Sequence, residues 1–203
     1  LTWLILNNIS IAEAPILPIQ YNKGNALKAA SEIAAMANAR TLTIETIKES
    51  LNKYGILYIE VPKLDKAPID AFSTMADAHP VITVTYRYND MDKLVFDVLH
   101  ELCHIDRHLT KEQTAFISVD DGSYATDPRE KEANEFARQT LIPDTVWGDI
   151  MKVGCKSLSP FKIVKTIAIT AESKGISPSI AVARYKHDTN WYNTSAYRSP
   201  KIS

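Results

Sequence analysis

Little in the sequence ties it to a membrane or to an oxidising compartment. Only two cysteines occur in 203 residues, Cys103 and Cys155, which excludes a disulfide-framed secreted scaffold and fits a reducing cytosol. No apolar run reaches the roughly 18 residues that a membrane-spanning helix needs. The opening Leu1-Thr2-Trp3-Leu4-Ile5-Leu6 is apolar, but it lacks the basic start and the cleavage motif of a signal peptide. It also lacks an initiating Met, so the chain is expected to be a fragment or a processed product. Internal repeats and low-complexity tracts are missing as well. Excess charge of one sign is absent: the net is −1, with 23% charged and 45% hydrophobic residues, as in an ordinary globular domain. A chain this long buries enough apolar surface to fold without a disulfide or metal, so any metal it holds is expected to be functional.

Charge is nonetheless unevenly spread. Residues 61–143 carry nine basic against fifteen acidic side chains, and residues 161–203 carry seven against two. The middle is therefore acidic and the end basic. Lys162, Lys165, Lys174, Arg184, Lys186, Arg198 and Lys201 are spaced like solvated helix faces, without the clustering or aromatic interleaving of a nucleic-acid surface.

Periodicity gives a coarse map. After Gly24-Asn25, residues 25–39 read as a helix with Leu27, Ala30, Ile33, Ala34 and Ala37 at helical spacing. Thr43 can cap a second helix with the stripe Ile44, Ile47 and Leu51, closed by Gly55. Residues 56–61 are β-branched and aromatic and end at Pro62, and residues 81–86 alternate strictly, which suits strands. From Asp92 to Leu109 the period becomes helical: Leu94, Val95, Val98, Leu99, Leu102, Ile105 and Leu109 share one face, and Asp97, His100, Glu101, His104 and His108 the other. Asp127-Pro128 opens a further helix that runs to about Leu141, before Pro143. Shorter helices follow from Asp144, from Ser159-Pro160 and from Ser177-Pro178, and the Asn-, Ser- and Tyr-rich end reads as irregular. The segment from Leu109 to Tyr124 is expected to be a loop or short strand beside the cleft. The whole is an α+β pattern.

His100-Glu101-Leu102-Cys103-His104 fits H-E-x-x-H. Residues four apart stack one turn above the other, so two imidazoles can hold one Zn²⁺ while the Glu beside them reaches its water. A solvated polar helix face is the bland alternative. A catalytic zinc usually takes a third protein ligand, and the helix after Asp127 offers Glu130 and Glu132. With Ala133, Phe136, Ala137, Thr140 and Leu141 as its packed face, Glu130 lies about 50° from the centre and Glu132 about 110° away. Glu130 is thus the better ligand. Asn134, one turn later, would face a ligating His, and small Ala133 and Ala137 would let the two helices approach closely.

Together, His100-Glu101-x-x-His104, Glu130-x-Glu132-Ala133-Asn134-x-Phe136-Ala137 and the Leu141-Ile142-Pro143 helix end resemble the ImmA/IrrE family of zinc metallopeptidases. Asp92-Lys93 and Phe96, Gly55-Ile56, and Ile176-Ser177 with Ile180-Ala181-Val182 extend the likeness over roughly residues 25–188. The resemblance implies a zincin-like α+β fold, with a small sheet on the H-E-x-x-H helix and a helical C-terminal half. Residues 1–24 are then an N-terminal extension or linker and 189–203 an irregular tail. It implies His100, His104 and Glu130 as ligands of Zn²⁺, or of Mn²⁺ or Fe²⁺, Asn134 behind a ligating His, and Glu101 as general base. It further implies a cytoplasmic protease that cuts a helix-turn-helix repressor of the Xre type. Many members are fused behind such a DNA-binding domain, some in toxin-antitoxin operons, so a non-catalytic sensor or antitoxin half is the competing reading. Nucleic acid would be bound only through such a fused domain, and no membrane is involved. The chain departs from the family in having Cys103 where Gly is common and Leu99 where Ala is common. Cys103 reads as a packing residue, with a soft ligand as its alternative. His108 reads as a capping or solvated residue, or as a substrate contact; Asp97 as an orienter of a His or a first-turn acid. His79 and His187 read as structural or surface residues. Tyr86, Tyr88 and Tyr124 are candidates for a transition-state hydrogen bond.

Overall fold

The computed structural model describes residues 2–14, 16–63, 69–110, 113–117, 127–154, 159–193 and 195–202. Its elements are α1 (Thr2–Glu13), α2 (Asn25–Ala39), α3 (Ile44–Lys53), β1 (Leu57–Glu60), β2 (Ala71–Ala76), β3 (His79–Val84), α4 (Met91–Arg107), β4 (Ala115–Ile117), α5 (Pro128–Leu141), α6 (Asp144–Gly154), α7 (Pro160–Ser173) and α8 (Pro178–Thr189). The sheet order is β1-β3-β2-β4, with β1 and β3 parallel and β2 antiparallel to both its neighbours. This is an α+β fold with a small mixed sheet and a helical second half.

Alternation along the strands sends side chains to two different cores. Tyr58, Ala71, Ile82 and Val84 face the main core, which contains the apolar side of α4 and much of α2, α5 and α7. Leu57, Ile59, Phe72 and Val81 face the other way, where Leu17, Ile11 and Ala14 cover them. Part of the N-terminal segment, through Ile11, Ala14 and Leu17, thus packs on the back of the sheet, while Tyr21 reaches the main core. Helix α1 has no amphipathic period because its burial is inverted: Asn7 points inward and accepts a 2.7 Å hydrogen bond from Thr83, while Ile5 and Ile9 are exposed.

Helix α4 runs between α2, α5 and the sheet. Its apolar stripe is buried as expected, but its polar side is buried too, since β2, β4 and α5 close over it. The solvated-face alternative therefore does not hold for His100, Glu101 and His104. Helix α2 buries Ala26, Ala29, Ala30, Ile33, Ala34 and Ala37. Leu27, expected in that stripe, is exposed, because it sits roughly 90° from the stripe's centre. Asn38 ties three elements together, donating to the Leu141 carbonyl at 2.9 Å and accepting from the Ser177 amide at 3.1 Å. Strand β2 had no sequence signature, and β4 falls in the segment read as loop or short strand. Near the C-terminus, Ser199 and Pro200 cap α4: the Met91 and Asp92 amides donate to the Pro200 carbonyl and the Ser199 hydroxyl at 2.9 and 2.8 Å.

Thr43 caps α3 through reciprocal bonds with Thr46. Gly55 then turns the chain into β1 at φ +77°, and a Cβ there would lie 2.7–2.8 Å from the backbone of residues 19–21. Gly55→Ala combines left-handed strain with a backbone clash and is expected to cost more than about 2 kcal/mol. Chemical denaturation measures this; a cost below about 1 kcal/mol would mean the 19–21 segment yields freely.

Candidate metal centre

The register of α4 stacks His100 and His104 on one side of the helix, and their Nε2 atoms lie 3.0 Å apart. Asp127 caps α5 by accepting from the Arg129 amide, and Pro128 occupies its first turn. That start places Glu130 opposite the imidazoles, with Oε2 3.1 Å from His100 Nε2 and Oε1 3.7 Å from His104 Nε2. Ala133 and Ala137, both fully buried, let α5 come this close. The two histidines and Glu130 are 5%, 0% and 4% exposed. Glu132, one of the two acids weighed as third ligand, instead faces outward to Arg107 and His108.

These separations suit one ion. Tetrahedral ligands at zinc bond lengths are spaced about 3.3 Å apart, within the observed spread of 3.0–3.7 Å. The far nitrogens strengthen the case. His100 Nδ1 lies 3.0 Å from the Asn134 side-chain oxygen, which can only accept, so the proton sits on Nδ1 and the Nε2 lone pair faces inward. Two inward imidazole nitrogens and a carboxylate then converge in a dry site, and a cation satisfies all of them. Burial, with His100 and His108 alongside, pushes the His104 pKa down to about 2, which keeps that ring neutral and ligand-competent. Among the described residues this is the sole group of three or more His, Cys, Asp or Glu side chains placed to hold a metal.

Glu101 is 2% exposed. Burial pushes its pKa up to about 7, against the pull of His100 and the Ser73 hydroxyl on β2. A carboxyl poised there can take and return a proton at neutral pH. Phe116 of β4 stacks on His104 with ring centroids 3.8 Å apart, closing the site from that side.

The remaining candidates sort by their contacts. Cys103 is buried, and burial pushes its pKa up to about 12, so it stays a thiol, as a packing residue should. Asp97 is engaged twice by Lys93, at 2.6 and 2.7 Å, and Lys93 also reaches Asp70. The Asp97 carboxylate is thus held by Lys93. Tyr86 bonds Tyr58 at 2.9 Å across the β1 side of the sheet, and Tyr88 lies by Arg87 and Lys93; Tyr124 and Cys155 lie outside the described residues. His79 bonds the Gly55 carbonyl and His187 is exposed. His108 sits in the C-cap position, and its ring contacts His104, one turn earlier on the same face.

The family model for the IrrE N-terminal-like domain matches residues 44–160, more than half the chain, from α3 through both helices of the metal site. No curated protein matches the sequence. No described helix is long and apolar enough to cross a membrane. The chain belongs to the ImmA/IrrE family of metallopeptidases.

Proposed function

We propose that the chain is a zinc-dependent endopeptidase that cuts a regulatory protein, a helix-turn-helix repressor of the Xre type. The carrying observation is the convergence of His100, His104 and Glu130 on one buried point, with Glu101 adjacent on the same helix. Among the described residues three side chains would hold the ion, which is the ligand number of catalytic zinc rather than the four of structural zinc. A divalent ion held there would supply Lewis acidity toward water and the scissile carbonyl. Glu101 accepts the proton of the attacking water on its carboxylate and returns it to the departing amine. Burial under β2 and β4 excludes bulk water from that transfer, and Asn134 holds the His100 ring in its working tautomer. We read residues 25–188 as the peptidase unit, because α2 and α8 share α4's core, with 1–24 as an extension that Leu17 and Tyr21 anchor and 189–203 as a tail that Trp191 and Ile202 anchor.

The test is incubation of the zinc-loaded chain with an Xre-type repressor encoded beside its gene, followed by mass spectrometry of the products. One discrete cut, abolished by a chelator, is expected. An intact repressor beside a metal-loaded chain would instead favour the sensor or antitoxin reading.

A further inference from the structure

A histidine that gives Nε2 to a metal leaves Nδ1 to be held, and what holds it fixes the ring's tautomer and orientation. For His100 that partner is Asn134. For His104 it is another imidazole: His104 Nδ1 lies 2.8 Å from His108 Nδ1. At such a distance one nitrogen must donate and the other accept. If the His104 Nε2 lone pair serves the metal, its Nδ1 carries the hydrogen and donates. His108 then accepts on Nδ1 and carries its own hydrogen on Nε2, which lies 3.3 Å from Glu132 Oε2. Arg107 donates to the other Glu132 oxygen at 2.6 Å. Every bond in this chain runs in one consistent direction and ends on a carboxylate.

We propose that His108 and Glu132 are positioning residues for the metal centre, with a neutral imidazole relaying the hold of a surface carboxylate onto His104. The assignment rests on His104 being a metal ligand. It explains why the His108 side chain is only 7% exposed at a helix end, its ring set against both His104 and Phe116. It also gives Glu132, which is turned away from the metal position, a reason to reach back across α4.

The experiment is zinc titration against a competing chelator, with Co²⁺ absorption as a second readout, on wild type and on His108→Phe, His108→Asn, Glu132→Ala and His104→Ala. Phe keeps the ring but cannot accept; Asn restores an acceptor. His108→Phe is expected to keep the wild-type stoichiometry, weaken zinc about 10- to 100-fold and shift the Co²⁺ bands. His108→Asn should recover much of the loss, and Glu132→Ala, a surface change that leaves the core intact, should give a smaller weakening in the same direction. Combined with His108→Phe, Glu132→Ala should add little. Wild-type affinity and spectra in both His108→Phe and Glu132→Ala, with binding lost in His104→Ala, would overturn the relay and leave the metal site standing. Binding retained in His104→Ala would overturn both.

Discussion

Glu101→Gln is expected to keep the metal at the wild-type level while lowering peptide hydrolysis by about 10²- to 10⁴-fold, the usual contribution of a positioned general base. Glutamine has nearly the same shape, so it fits the 2%-exposed position without a cavity. Its amide keeps the shape of the carboxyl, but it cannot take a proton from water. The substitution also removes a buried titratable carboxyl, so the fold should be no less stable near neutral pH. Paired rate and metal measurements separate these effects. Cleavage at the wild-type rate would remove Glu101 from the mechanism; loss of metal would mean that Glu101 supports the ligands.

Glu130→Gln is expected to abolish the stabilisation that zinc gives the fold. A ligand that binds only the native state at about a thousand times its dissociation constant contributes about 4 kcal/mol. For a chain of this size that corresponds to a rise of about 8–16 °C in Tm. The carboxylate is the one anionic member of the buried ligand set, and an amide oxygen is a weaker, neutral donor. The variant should therefore show essentially none of that rise in a thermal melt. An equal zinc-dependent shift in wild type and variant would place the metal elsewhere.

Both predictions rest on features that local chemistry encodes. The spacing of His100 and His104, the Asp127-Pro128 start of α5 and the angular offset between Glu130 and Glu132 each follow from helical geometry, and so they were legible. Strand β2 was not. Its run Ala-Phe-Ser-Thr-Met-Ala lies between two strands, and its one large core residue is Phe72, while Ser73 faces Glu101, so neither alternation nor β-branching marks it. Helix α1 was hidden because Asn7 is buried against Thr83 while Ile5 and Ile9 are exposed. The capping of α4 by Ser199 and Pro200 depends on chain segments meeting in space, whereas the contact of His108 with His104 follows from the same four-residue spacing that pairs His104 with His100. Leu27 is apolar by type but lies outside the stripe by its angle, which is why it is exposed.

The central claim is that His100, His104 and Glu130 hold one catalytic zinc. Elemental analysis of zinc-loaded, desalted protein tests it most directly, on wild type, Glu130→Gln and Glu132→Gln. The account predicts about one zinc per chain in wild type and in Glu132→Gln, and essentially none in Glu130→Gln. A metal-free wild type, or a Glu130→Gln variant that retains a full equivalent, would contradict it.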